Sequence, residues 1–152
     1  MLIQRLNRDD PERVFISCYN HSGSALSKGQ LCVFSMDGTR DGYEITDPTA
    51  PLSSLVAGLA HAATAAAEYG LIQVYGLDDD ALIQRNGTST SAHGAIGDVL
   101  LPWTASSVLS AASSGEIAHA SAYTPWFILA QTQASTNTAN LTTTAKVFIR
   151  CM

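Results

Sequence analysis

Short runs of β-branched and aromatic residues, each cut off by Gly, Asn, Asp or Pro, recur along the whole chain. Such residues suit a pleated surface better than a helix, because branching at Cβ restricts their rotamers against a helical turn. Val14-Phe15-Ile16-Ser17-Cys18-Tyr19 ends in Asn20-His21-Ser22-Gly23-Ser24, a dense group of turn formers. Lys28-Gly29 leads into Gln30-Leu31-Cys32-Val33-Phe34, which is closed by Asp37-Gly38, a dipeptide that favours tight hairpin turns. These two runs read as consecutive strands of an antiparallel sheet. A short strand follows over residues 43–46, and Pro48 and Pro51 then forbid regular ladder pairing.

Residues 55–70 carry conflicting signals. Val56, Leu59, Ala60 and Ala63 keep helical spacing, and Ala65-Ala66-Ala67-Glu68 has high helix propensity. Against a helix stand Gly58 in its interior and an alanine face able to bury little apolar area. The balance predicts a strand over 55–62 and a loop or single helical turn over 64–69. Residues 71–76 read as a strand that resumes at 81–85, after an acidic solvated turn at Asp78-Asp79-Asp80. Asn86-Gly87 marks a turn, residues 88–94 a polar loop, and residues 98–101 a strand stopped by Pro102. Residues 106–114 are Ser/Ala-rich and fit either state, while 126–130 and 145–150 supply the last strands across a hydroxyl-rich connection at 132–144.

Many short strands with turns between them, and no strand-helix alternation, predict an all-β domain. A small β-barrel or β-sandwich with at most one or two short helices satisfies the pattern. Residues 1–13 hold Arg5, Arg8, Asp9, Asp10, Glu12 and Arg13 and read as an N-terminal arm, leaving 14–152 as one β-barrel domain. A faint doubling runs through that domain. Gly29-Gln30-Leu31 and Gly97-Asp98-Val99 each open a strand from a glycine, each precedes a strand running into small residues, and each half ends in a strong strand. Two related β-units, about 14–76 and 77–152, would account for it.

Charged residues make up only 14% of the chain against 46% hydrophobic, well below the ~25% charge of an ordinary soluble domain. An exterior so poor in charge resists association weakly, so neighbours or further copies of the chain are expected to cover part of it. The net charge is −5, Lys28 and Lys146 are the only lysines, and there is no basic run, which excludes nucleic acid as a partner. No apolar stretch reaches the ~20 residues of a bilayer-spanning helix. The opening Met1-Leu2-Ile3-Gln4-Arg5 lacks the features of a signal peptide, so synthesis in the cytoplasm is expected.

The residues that could carry chemistry are scattered. Cys18, Cys32 and Cys151 are odd in number with no Cys-x-x-Cys pair, which argues for buried reduced thiols over disulfides or zinc. His21, His61, His93 and His119 show no ligand spacing, Ser114-Gly115-Glu116 lacks the glycine frame of a nucleophile elbow, and Gly94-Ala95-Ile96-Gly97 lacks the following Lys-Ser/Thr of a phosphate loop. Asp78-Asp79-Asp80 lacks the downstream Glu of a calcium loop. The expectation is a protein with no enzymatic activity, metal or cofactor.

The order Tyr19-Asn20-His21-Ser22-Gly23-Ser24-Ala25-Leu26-Ser27-Lys28-Gly29-Gln30-Leu31 resembles the opening of tailed-bacteriophage capsid decoration, or cement, proteins. Leu55-Val56-Ala57-Gly58-Leu59-Ala60 followed by Tyr69-Gly70-Leu71-Ile72-Gln73-Val74-Tyr75-Gly76 is similar to a later run of the same families. The resemblance covers roughly residues 14–76 and implies a small barrel or β-tulip fold, a homo-oligomer with trimers favoured, and the major capsid protein as partner. It implies residence on the capsid exterior of a virion, where the protein would stabilise the expanded head. It also implies a contact segment in the arm, with Leu2, Ile3 and Leu6 as apolar anchors and Arg5, Arg8 and Arg13 as polar partners, through strand addition. A head- or tail-fibre adhesin is the alternative, with the hydroxyl-rich stretches 88–93 and 136–144 touching host glycans.

Overall fold

The computed structural model describes residues 12–36, 43–48, 55–85, 95–102, 109–111, 127–132 and 141–151. They form β1 (Val14–Asn20), β2 (Leu31–Phe34), β3 (Glu44–Thr46), β4 (Val56–Ala60), β5 (Tyr69–Arg85), β6 (Val99–Pro102), β7 (Leu109–Ala111), β8 (Phe127–Leu129) and β9 (Leu141–Arg150). The fold is all-β, with no helix among the described residues. β1 pairs with β3 and β5, β3 with β2, β2 with β4, and β4 with β5, which closes a five-stranded barrel.

Several local expectations change on folding. The runs over β1 and β2 are not neighbours, because β3 lies between them, parallel to β1 and antiparallel to β2. The three aspartates are no turn but part of the continuous strand β5, whose register against β9 shifts between Asp78 and Ala81. Asp78 is buried there, and its Oδ1 accepts the Asp80 N–H at 2.8 Å, so the extra residues fold into a bulge. Of the loop or single helical turn expected over 64–69, the loop forms. Thr64 bridges Leu26, Ala67 adopts φ 62°, and the Ala67 N–H donates to the Asn20 carbonyl, so tertiary bonds override alanine propensity. The hydroxyl-rich connection is shorter than expected, since β9 already begins at Leu141. Residues 88–94 lie outside the described residues.

The pairing scheme of the barrel occurs twice. Beyond the bulge β5 pairs in parallel with β7, β7 with β6, β6 with β8, β8 with β9, and β9 with β5 again. This second ring has the same strand order and the same single parallel pair as the first, and β5 is the last strand of one and the first of the other. Residue pairs correspond throughout: Leu31–Leu59 and Cys32–Gly58 match Val99–Ile128 and Leu100–Phe127. Phe34–Ile45 matches Pro102–Leu109, and Ala60–Ile72 matches Leu129–Val147.

The turns ahead of β2 and β6 share their hydrogen bonds as well. Gly29 N donates to Ala60 O and Gly97 N to Leu129 O, both at 2.8 Å. Gln30 N donates back to Ser27 O as Asp98 N does to Ala95 O. The Gln30 amide oxygen accepts the Ser27 N–H at 2.7 Å, and the Asp98 carboxylate accepts the Ala95 N–H at 2.9 Å.

Inward positions follow the same correspondence. Cys18, Cys32, Ile45, Ala60, Ile72 and Val74 belong to the core of the first ring. Their counterparts Ala81, Leu100, Leu109, Leu129, Val147 and Ile149 belong to the core of the second. Leu31, Val56 and Leu59 of the first barrel join that second core too, so the outer face of the first ring packs against the interior of the second. Period-two burial of Ala145, Val147 and Ile149 along β9 shows why these runs form strands.

The three cysteines are free, Cys18 and Cys32 fully buried and Cys151 partly so. Burial pushes the Cys18 thiol up to about 11 and Cys151 to about 12, and raises Cys32 further, with Asp47 and Cys18 adding to desolvation there. A thiol raised in the fold holds its proton more tightly than in the unfolded chain, so its contribution is complete below the ordinary value of 9.0. Stability should therefore fall as pH rises from 9.0 through about 11 and about 12. The native protein is expected to leave its thiols unlabelled by a disulfide reagent near neutrality and to release all three on denaturation. Rapid labelling of Cys18 or Cys32 in the native state would contradict the burial.

Candidate interaction surface

β1, β3, β2 and the start of β4 lie side by side on one wall of the first barrel, and apolar side chains surface there on successive strands. Tyr43 is 61% exposed, Met36, two residues beyond Phe34, is 70% exposed, and Leu55 at the mouth of β4 is exposed too. The Tyr43 ring rests on Phe34 at 5.5 Å, and the Phe34 N–H donates to Leu55 O, which fixes these residues in one patch. Farther round the wall Tyr19 N donates to Tyr43 O, and the Tyr19 ring meets Tyr69 edge-on at 5.4 Å. Tyr69 and Leu71 are exposed on β5 beside β1. The exposed residues thus fall into two groups: Tyr43 over Phe34 in the inward row of Ile45 at the barrel rim, and Tyr69 with Leu71 on the outer face beside Tyr19. Aromatic bodies with polar tips, held by neighbours at low entropic cost, are characteristic of protein-protein contact.

On the opposite face of β3, in register with Tyr19, Glu44 is buried, its carboxylate has no hydrogen-bond partner among the described residues, and His21 Nδ1 lies 3.5 Å from it. His61 packs on Phe15 at 4.7 Å, a structural setting. His93 and His119 lie outside the described residues. Among the described residues, no group of three or more His, Cys, Asp or Glu side chains could hold a metal ion.

Of the arm residues expected to contact a partner, Leu2, Ile3, Arg5, Leu6 and Arg8 lie outside the described residues. Arg13 lies within them, and its guanidinium sits 3.5 Å from Asp79 on the β5 bulge. Lys28 and Lys146 reach the same bulge, at 2.6 Å from Asp80 and 3.2 Å from Asp79. Both acids and all three cations are part-exposed, so each pair contributes little, and the cluster's effect is to hold three segments in register. The stretch 136–140 considered for glycan contact also lies outside the described residues, and 141–144 belong to β9.

The sequence matches no protein-family profile and no curated protein.

Proposed function

We propose that this protein is a phage virion structural protein that binds the outside of the expanded major-capsid lattice and stabilises the head as a decoration protein. The observation that carries this reading is the exposed apolar and aromatic patch of Met36, Tyr43 and Leu55, backed by Phe34, on a closed β body unusually poor in charge. A closed barrel leaves few free strand edges, so a side-chain patch is a natural means of contact. The resemblance over residues 14–76 supplies the partner. Self-association, with trimers favoured, belongs to the same reading. Several copies touching several capsid subunits would gain avidity through effective concentration, without one strong contact.

Purified protein mixed with expanded and unexpanded shells should co-sediment with the expanded form alone. Tyr43→Asp and Met36→Asp should each weaken that binding by about tenfold or more, because a charge at the centre of a desolvated contact is costly. Equal binding to both shells, or none to either, would remove the proposal. Retention on host glycans in place of shells would favour the adhesin.

A further inference from the structure

β1 and β3 close the first barrel with only two residue pairs, Tyr19 with Glu44 and Asn20 with Ile45. Along β1 the main-chain groups alternate sides: the Asn20 N–H donates to Glu68 O on the β5 side, and the Tyr19 N–H to Tyr43 O on the β3 side. Phe15 and Ser17, in regular register with Gln73 and Leu71, share the parity of Tyr19, so their N–H and C=O groups point away from β5. Among the described residues nothing bonds them on that side. Ser17 is exposed, and the inward row, sealed at Cys18, is only partly covered at Ile16 and Val14. The barrel thus carries a short free strand edge beside an incompletely covered stretch of its core.

The second ring shows the same place blocked. Leu82 stands there as Tyr19 does in the first ring, since Tyr19 opposite Tyr69 matches Leu82 opposite Thr144. The Leu82 N–H is taken by Gly29 O at 2.9 Å, and the edge before it is broken by the bulge of Asp78, Asp79 and Asp80, with Lys28 paired to Asp80. Bulges and charged side chains keep a strand edge from pairing with further chain. Phe15-Ile16-Ser17-Cys18-Tyr19 has neither, because its register with β5 runs without a shift and none of its residues is charged. Main-chain groups two residues apart, beside partly covered apolar side chains, fit an extended chain with apolar residues on one of its faces.

The chain has such a segment. Residues 1–11 lie outside the described residues, and extended backbone would put Leu2 and Leu6 on one face with Ile3 and Arg5 on the other. A run of that length reaches about 35 Å, enough to cross to a neighbouring molecule. It leaves β1 on the side away from the free edge: Arg13 sits 3.5 Å from Asp79, and a Cβ on Gly76 would stand 2.1 Å from the Glu12 carbonyl oxygen, so the entry to β1 is pressed against β5.

We propose that the edge of β1 at Phe15 and Ser17 accepts residues 2–6 of a second copy of this chain as an added strand, with Leu2 and Leu6 turned toward the partly covered core. The inference rests on the self-association part of the reading above and not on the shell. Exchange of a terminal segment between copies is a low-cost route to an oligomer.

Two variants separate the halves of the contact. Ser17→Pro removes the edge N–H without removing a bond to β5, at an edge position where proline is tolerated, and Leu6→Asp disables the segment while leaving the edge intact. In light scattering at tens of micromolar wild type should associate, and each variant should dissociate about tenfold more readily, with circular dichroism verifying the fold. A synthetic peptide of residues 1–8 should slow hydrogen exchange of the Phe15 and Ser17 amides of Leu6→Asp about tenfold and leave the Phe15 amide of Ser17→Pro unchanged. Should Ser17→Pro lose its fold, Leu6→Asp and the peptide decide the matter alone. A monomeric wild type overturns the proposal, whether its Ser17 amide exchanges freely or is protected by its own chain. Variants that associate as wild type does, or a peptide that protects neither amide, overturn it as well. Shell binding is read separately by sedimentation. Association without shell selectivity overturns the decoration reading and leaves this contact standing, and shell binding by a monomer does the reverse.

Discussion

Gly29→Ala is expected to cost roughly 3–5 kcal/mol, enough to remove much of the stability of a domain this size. Two penalties combine. The residue holds φ +75°, where an L side chain is strained, and its new Cβ would lie 1.8 Å from the Asp80 carbonyl oxygen and 3.2 Å from Ala81 Cα. Both obstacles are main-chain atoms of a bulge held by Asp78 and by the surrounding cations, so they cannot turn aside as a side-chain tip could. The equivalent Gly97 has no neighbour within 4 Å of a built Cβ among the described residues, so Gly97→Ala meets the strain alone and should cost only about 1–2 kcal/mol. Urea titrations of the two variants measure the difference directly. Equal losses at both glycines would mean that the first turn is not docked on β5, and the ring-to-ring contact would have to be redrawn.

That pair of glycines also shows what the sequence conveyed and what it hid. Gly29 and Gly97 stood out as openings of two strands, because a glycine before a β-branched run is visible in any reading. The ring correspondence behind them was barely visible, since the chain preserves burial and not identity at matched positions. Cys32 answers to Leu100, Gly58 to Phe127 and Ala60 to Leu129, pairs that share a location in the core and little side-chain volume. The smaller residues of the first ring and the larger ones of the second fill two separate cores, and the first ring also packs Leu31 and Leu59 against the second.

The strands themselves were legible where burial alternates, as in the second half of β9, or where β-branched and aromatic residues cluster, as in β1. They were misread where charge or hydroxyls dominate. Three consecutive aspartates look like a solvated turn until Arg13, Lys28 and Lys146 are seen converging on them from distant segments. Thr142, Thr143 and Thr144 look like a loop until they are seen paired with Gln84, Ile83 and Leu82. The apolar wall left no local signal. Met36, Tyr43, Leu55, Tyr69 and Leu71 are unremarkable one at a time, and their association depends on the parallel placement of β3 beside β1, a long-range choice that periodicity does not encode.

Asn20→Leu is the second substitution expected to be severe, at roughly 3–5 kcal/mol, although it exchanges a polar residue for an apolar one in a fully buried position. The Asn20 amide nitrogen donates to Ser24 O at 2.8 Å and Ala65 O at 3.1 Å, with a longer bond to Thr64 O. Its oxygen accepts the Ser22 N–H at 3.1 Å and the Ser22 hydroxyl at 2.7 Å. One side chain thus ties together two loops that meet over one end of the first barrel, and leucine would remove its bonds to the Ser22 N–H and the Ala65 carbonyl, while the Thr64 carbonyl keeps the Leu26 N–H and the Ser24 carbonyl keeps the Ser22 hydroxyl. The loss should appear locally before it appears globally: the Ser22 amide should exchange with solvent much faster while the β5 and β9 amides keep their protection. The second ring supplies the control. Its counterpart of Asn20 is Ile83, which pairs with Leu109 as Asn20 pairs with Ile45 and lies in the apolar core. Ile83→Val should cost only about 0.5–1.5 kcal/mol, since it removes one methylene and no hydrogen bond. If Asn20→Leu is as mild as that, the amide network does not hold the two loops.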